Sequence, residues 1–331
     1  MAELAPAVAA RGDAKLRIAV VDLGSTSFHM VVADAYASGE LERVARWREM
    51  LRLGASIADR GRIRKVARDR AIAAARHLRS MAEGLGADRI LPVGTSALRD
   101  ADNGEHLVAS LSKALGTPVR LLSGEEEARL IFAAFRHRIP FAHERVLGID
   151  LGGGSLELAI GDDRDVHWET TLPLGTTRLH GELVHSDPMK RRERKAIRRR
   201  VREALAPHLQ RVAELAPGCC IASGGTLRVL ARMLVSDRRV ATQRRGDQLR
   251  IASDQLSSLR RRLVRRSHEE RLRMPGIKRN RADLLPTGAV IVETLTDELG
   301  VEEILVSDWG LREGAILEAL GLADSKRPSR S

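Results

Sequence analysis

"VVDLGSTSFHMVVAD" spans residues 20–34, and "GIDLGGGSLELAIGD" spans residues 148–162. The two stretches share Asp-Leu-Gly (Asp22, Leu23, Gly24 and Asp150, Leu151, Gly152), then a serine (Ser27, Ser155), then a closing aspartate (Asp34, Asp162). Each ends an apolar run with an aspartate, turns on glycine and hydroxyl residues, and resumes an apolar run. That pattern reads as strand, turn, strand, and its repetition predicts two domains of related design. A glycine turn lets backbone N–H groups reach phosphate oxygens, because no Cβ blocks the approach. An aspartate at the strand end can hold a hydrated divalent cation beside those oxygens. The candidate phosphate-binding positions are therefore Gly24, Ser25, Thr26 and Ser27 in the first turn and Gly152, Gly153, Gly154 and Ser155 in the second.

Composition agrees with two globular domains. The chain has 331 residues, 43% of them hydrophobic, enough for a core in each half. A net charge of +12 attracts polyanions or anionic substrates without saying which. The two cysteines, Cys219 and Cys220, are adjacent, a spacing that suits neither a disulfide framework nor a zinc site, so they read as small buried strand residues. The first 16 residues lack the continuous apolar stretch of a signal peptide, and no run approaches the ~18 apolar residues of a membrane span. The expectation is a cytoplasmic protein that does not enter a membrane.

Outward from the two turns, strands and helices alternate. "LRIAVVDLGS", "FHMVVADA" and "LERVARWREMLRLG" read as strands and 68–84 as a helix. "RILPVGTSALRD" reads as strand then loop, "NGEHLVASLSKALG" as a helix closed by Gly116, and "PVRLL" as a strand. The second copy leads into "VHWETTLPLG", a long basic helix, the strand "CCIASGG" and the helices "TLRVLARML" and "ADLLPTGAVIVETLTDELG". The strand "EEILVSD" and the helix "LREGAILEAL" close the chain. The expected division is a flexible N-terminus 1–16, a first domain 17–136 joined by a returning helix 311–320, a second domain 137–310, and a flexible tail 321–331.

The motifs "DLGSTSFHMVVAD", "GTSALRDADNG" (94–104), "SGEEEARLIFAA" (123–134), "GIDLGGGSLELAIG" (148–161), "SGGTLRVLA" (223–231) and "VSDWGLREGAIL" (306–317) together resemble the exopolyphosphatase and guanosine pentaphosphate phosphohydrolase (Ppx/GppA) family. The match runs from residue 20 to 317 and is similar to the short, two-domain members without the C-terminal helical extension. The resemblance implies an α/β fold of two duplicated ribonuclease H-like domains, as in the actin and sugar kinase superfamily, with mixed sheets flanking a phosphate-binding cleft. It also implies Mg²⁺ or Mn²⁺ as cofactor, and it adds Gly224, Gly225 and Thr226 to the phosphate-binding positions. Thr26 stands where the family usually carries asparagine.

Three consecutive acids, Glu125, Glu126 and Glu127, open the helix of the third motif. With Ser123 as N-cap, Glu126 falls at N3 and completes a capping box, and Glu125 can pair with Arg129 one turn on. Glu127 is left without a structural task. It stacks with Leu130, Ile131 and Ala134 on the apolar face, where a carboxylate must be paired, protonated or functional. The resemblance places the general base at Glu127, puts Arg99 of "SALRD" on a phosphate oxygen, and uses Asp150 and Glu157 around the metal, with Asp22 as the first copy's counterpart. His29 reads as a core or cleft residue with one hydrogen bond.

Two arginine-dense stretches, "KRRERKAIRRRVREALAPHL" and "SSLRRRLVRRSHEERLRM", remain. Ile197, Val201, Leu205 and Leu209 recur every fourth position in the first, so a solvated basic helix face explains it without a ligand. Guiding a polyphosphate chain is the sharper alternative. The eight aromatic residues (three Trp, one Tyr, four Phe) are not interleaved with these runs, which argues against a nucleic-acid stacking platform. The expected activity is Mg²⁺-dependent release of orthophosphate from the end of inorganic polyphosphate, with guanosine pentaphosphate (pppGpp) as the alternative substrate. An ATP-dependent small-molecule kinase of the same superfamily and a non-catalytic polyanion-binding regulator are the distant readings. The chain leaves room for a homodimer.

Overall fold

A computed structural model describes residues 15–54, 61–141, 144–237, 243–245 and 248–323. Two compact units emerge, Met1–Pro140 with Asp163–Val166 and Trp309–Ser331, and Phe141–Asp162 with His167–Asp308.

In the first unit β1 (Lys15–Leu23), β2 (Ser27–Tyr36) and β3 (Leu41–Met50) form an antiparallel meander, and β4 (Arg89–Gly94) and β5 (Arg120–Leu121) add parallel strands on the far side of β1. The order is β3-β2-β1-β4-β5. Successive residues of β1 point to opposite faces. Ala19, Val21 and Leu23 enter a core with Phe28, Met30 and the helices α1 (Lys65–Gly84) and α3 (Gly104–Leu115). Ile18 and Val20 enter another with Leu130 of α4 (Gly124–Arg138) and Ile316 of α12 (Leu311–Ala319). The closing helix α12 packs against α4, and a Cβ on Gly314 would stand 1.9 Å from the Leu130 carbonyl oxygen, so only glycine permits that approach.

The second unit repeats the plan. Here β6 (Val146–Leu151), β7 (Leu156–Gly161) and β8 (Val166–Leu172) are the meander, and β9 (Cys219–Ser223) and β12 (Glu303–Val306) continue in parallel beyond β6. The order β10-β11-β12-β9-β6-β7-β8 contains the first unit's order, extended at one edge by β10 (Gln243–Arg245) and β11 (Gln248–Ala252). The duplication legible in two turns is thus a duplication of sheet topology, and the mixed α/β class holds.

Several expectations need correction. β1 begins at Lys15, inside the stretch expected to be loose; residues 1–14, and 324–331 of the expected tail, lie outside the described residues. The loop expected after β4 is a five-residue helix, α2 (Ser96–Asp100), and "PVRLL" pairs only over Arg120–Leu121. The long basic helix is α6 (Arg191–Leu205), a 3₁₀ turn Ala206–His208 with Pro207 in its first turn, and α7 (Leu209–Leu215). Proline cannot donate the hydrogen bond that would carry the α-helix through. Ahead of α6, α5 (Thr176–Leu183) was not expected, nor was the short α10 (His268–Leu272), nor were β10 and β11, whose short polar run carries no strand alternation. Cys220 is buried in β9 and its thiol is pushed far up by burial, as inert strand packing requires; Cys219 is half-buried.

Candidate functional site

Each unit carries its own cluster around its copy of the repeat. In the first unit the turn between β1 and β2 is fixed by its carbonyls. The Ser25 oxygen accepts from the Gly54 N–H at 2.9 Å, and the Thr26 oxygen accepts from Leu51 and Arg52 N–H at 3.1 and 2.8 Å. Across a trans peptide the N–H points opposite to the preceding C=O. The N–H groups of Thr26 and Ser27 therefore point away from the 51–54 segment. Ser25 Oγ bonds Ser96 Oγ at 2.9 Å, tying the turn to α2.

α2 carries Arg99, whose Nη1 donates at 2.6 Å both to the Leu122 carbonyl and to Glu127 Oε1. Glu127 is buried and Arg99 partly exposed. The sequence left Glu127 without a structural task; the fold gives it a guanidinium. A neighbouring positive charge favours the ionised carboxylate, the form that accepts a proton. Glu126 and Ser123 form the expected capping box, which gives Glu126 the structural task that Glu127 lacks, and the Arg120 hydrogen bond at 2.6 Å holds the Glu126 carboxyl below its ordinary range.

Asp22 and His29 are register partners across β1 and β2. Arg312, buried on α12, donates through Nη1 to Asp22 Oδ2 at 3.2 Å and to His29 Nδ1 at 2.6 Å. His29 Nε2 also contacts Ser27 Oγ at 2.8 Å and Arg48 Nε. His29 is thus a hub rather than a residue with one hydrogen bond, and a guanidinium already stands beside Asp22. Local sequence gives no signal for Arg312, which comes from the far end of the chain.

In the second unit Asp150 and Glu157 are register partners across β6 and β7, at the places that Asp22 and His29 occupy in the first. Ser223 Oγ donates to Asp150 Oδ1, and Thr171 Oγ1 to Glu157 Oε1 at 3.2 Å. The glycine turn between these strands is held by the start of α5. Gly152 O accepts from Thr176 N at 3.0 Å, Gly153 O from Thr177 N and Arg178 N at 2.8 and 3.0 Å, and Gly154 O from Arg178 Nε at 2.8 Å. By the same peptide geometry the N–H groups of Gly153, Gly154 and Ser155 point away from α5, three donors in succession. A Cβ on Gly175 would lie 2.3 Å from the Gly154 carbonyl carbon, so glycine is required there as well.

Gly224 is at φ +110, and its Cβ would meet the Leu151 oxygen at 2.4 Å; it caps α8 (Gly225–Ser236). Thr226 Oγ1 bonds Thr176 Oγ1 at 3.2 Å, joining the start of α5, which holds the second turn, to the start of α8. The buried Arg281 guanidinium lies over Gly225, where a Cβ would be 2.5 Å from Nη2. Sequence reading missed Gly175, Thr176, Arg178 and Arg281. "GTT" after an apolar strand was a usable signal for the first two, whereas nothing local marks the arginines.

Among the described residues no cluster of three or more His, Cys, Asp or Glu side chains could hold a metal. The thin pair of Asp150 and Glu157 fits a small hard cation that keeps most of its waters, as Mg²⁺ does. No described helix is long and apolar enough to cross a membrane.

The model of the Ppx/GppA phosphatase family matches residues 30–323. Exopolyphosphatase 1 of Mycobacterium tuberculosis (strain ATCC 25618 / H37Rv) is 31% identical over 306 residues, which cover 92% of this chain and 88% of its own length. The crystal structure of an exopolyphosphatase from Cytophaga hutchinsonii is similar with a TM-score of 0.83 and 26% identity over 92% of this chain and 98% of that one. The Aquifex aeolicus member of the Ppx/GppA family, 23% identical with a TM-score of 0.73 over 93% of this chain and 99% of that one, shares the fold.

Proposed function

We propose, since the chain belongs to the Ppx/GppA phosphatase family, that it is an exopolyphosphatase, hydrolysing the terminal phosphoanhydride of inorganic polyphosphate to release orthophosphate. The observation that carries this reading is the second turn, where the carbonyls of Gly152, Gly153 and Gly154 are engaged by α5 and three N–H donors are turned the other way. Such a row of donors is suited to phosphate oxygens.

Roles are assigned unit by unit. In the first, a water attacks the terminal phosphorus while Glu127 takes one of its protons. The new P–O bond forms as the anhydride P–O bond breaks, and the chain departs one phosphoryl group shorter. Arg99 orients Glu127, and its partly exposed guanidinium is the group for a phosphate oxygen. The Thr26 and Ser27 donors hold further oxygens. In the second unit Gly153, Gly154, Ser155 and the start of α8 at Gly224, Gly225 and Thr226, with Arg281 over it, hold phosphates of the chain.

Asp150 and Glu157 would hold the divalent cation, Mg²⁺ or Mn²⁺, which when bound neutralises phosphate charge. Asp22 is the weaker candidate ligand, because Arg312 already supplies a positive charge there. A cytoplasmic setting accords with the reduced cysteines of β9, Cys219 half-buried and Cys220 buried.

Orthophosphate release is measured with long polyphosphate, tripolyphosphate, guanosine pentaphosphate, and ATP with glucose, each with and without Mg²⁺. Metal-dependent release from polyphosphate is expected. Release from guanosine pentaphosphate alone would move the function to the nucleotide, and phosphate transfer to glucose would make the protein a kinase.

A further inference from the structure

The two arginine-dense stretches converge in space within the second unit. α6 carries Arg191, Arg194, Lys195 and Arg198 on one face, at i, i+3, i+4 and i+7. α9 (Ser253–Arg265) carries Arg260, Arg261 and Arg265, the last two one turn apart. Both helices pack on α11 (Leu285–Glu298), and the seven cationic side chains, with Val264, line one groove of about 270 Å³.

The pairing pattern separates this face from an ordinary solvated one. On the other faces of α6 three of the four arginines have an acid: Arg199 with Glu203, Arg200 with Glu182, Arg202 with Glu298. In the groove only Arg198 and Arg260 are matched, both to the buried Glu293 at 2.7 Å, with Ser257 donating to the same carboxylate at 2.8 Å. Burial pushes the Glu293 carboxyl up, but hydrogen bonds from Arg260, Ser257 and Arg198 outweigh it, so it titrates below the ordinary range and stays charged. Among the described residues Arg191, Arg194, Lys195, Arg261 and Arg265 meet no carboxylate at ion-pair distance. Burial and then the charges of Arg260, Arg198, Arg265 and Arg191 press the Arg194 guanidinium below its ordinary range. Like charges gathered at this density repel one another at a cost to the folded state that a bound polyanion would remove.

We propose that the groove between α6 and α9 is a second anion-binding site that holds a run of phosphoryl groups of a polyphosphate chain, apart from the glycine turns where hydrolysis is placed. Its ligand rests on the exopolyphosphatase reading. The density of unmatched cations favours a polyanion over a single small anion, and α11 joins the two places: Gly288 abuts Thr226 at the start of α8, and Glu293, on another face of the same helix, meets Arg198 and Arg260. Nucleic acid is the rival polyanion, but no aromatic side chain lines the groove to stack a base.

The test is equilibrium binding of long-chain polyphosphate to metal-free protein in chelator across a range of salt. Wild type is compared with an Arg194→Gln/Lys195→Gln/Arg261→Gln variant, which leaves both partners of Glu293 in place. The wild type is expected to bind with steep salt dependence. The variant should bind at least about tenfold more weakly, with a slope of log K against log salt smaller by about two, as counterion release at a single-stranded polyanion assigns to three cations. Losing three mutually repelling charges should leave Tm at or above the wild-type value. Should the triple variant melt early, Arg261→Gln alone, at an exposed position, must still flatten the slope by about 0.7. Equal affinity and slope in wild type and variants overturn the proposal, as does displacement of polyphosphate by a lower concentration of a single-stranded oligonucleotide of equal charge. A wild type that binds as expected yet releases no orthophosphate sinks the hydrolase reading and leaves the groove standing.

Discussion

Asp150 and Glu157 face each other across β6 and β7, at the register positions that Asp22 and His29 hold across β1 and β2. The duplicated sheet therefore presents two carboxylates in one copy and a carboxylate with an imidazole in the other. Two adjacent carboxylates repel unless a cation joins them. In the other copy Arg312 fills that place. Glu157→Gln is accordingly expected to raise the Mg²⁺ concentration for half-maximal phosphate release by more than about tenfold, a scale that even outer-shell changes reach. Asp22→Asn should leave the metal titration midpoint where it is while lowering turnover. A Mg²⁺ midpoint that moves with Asp22 and not with Glu157 would reverse the assignment.

Glu127→Gln keeps the shape and the hydrogen bond from Arg99 but cannot take a proton. Turnover should fall by ~10² to 10⁴ with KM for polyphosphate little changed. Steady-state kinetics near wild type would place the base elsewhere.

Gly175→Ala puts a methyl group 2.3 Å from the Gly154 carbonyl carbon, with backbone rather than a flexible side chain in the way. The second turn must shift, at a cost of about 1–3 kcal/mol typical of overpacking, and its donors move with it. Denaturant melts should show that loss and KM for polyphosphate should rise. A wild-type Cm would mean that the turn yields without strain.

Asp34, the closing aspartate of the first copy, is buried between Arg17 and Lys15 at 2.6 and 2.9 Å. The Arg17 hydrogen bond first, and Lys15 after it, hold its carboxyl down to about 2 against the opposing effect of burial. A depressed folded-state value contributes stability that is present above the unfolded carboxyl range near 4 and is lost as pH falls through about 2. Asp34→Asn should remove that part of the acid limb, so that wild type and variant converge in Tm as pH is lowered from about 5 toward 2. Parallel curves throughout would show that Asp34 does not titrate as stated.

The repeated stretch carried most of the fold. Alternating apolar residues fixed β1 and β2 and their two faces, glycine and hydroxyl residues fixed the turns, and Ser123 with Glu126 fixed the start of α4, because each depends on neighbours within a few residues. Gly175, Arg178 and Arg281 were illegible, since their meaning lies in backbone and side chains brought up from distant segments.

The sequence by itself determined two α/β halves of one plan, each opened by an aspartate, a glycine turn and a serine, and a helix that buries Glu127 on its apolar face. Only the tertiary structure decided which charges meet. It put Arg99 on Glu127 and Arg312 between Asp22 and His29, and it gathered seven cations of α6 and α9 around a single buried Glu293. Periodicity states which face of an element is buried, but a charge partner is chosen by packing between elements far apart in sequence, and that choice leaves no trace in local spacing.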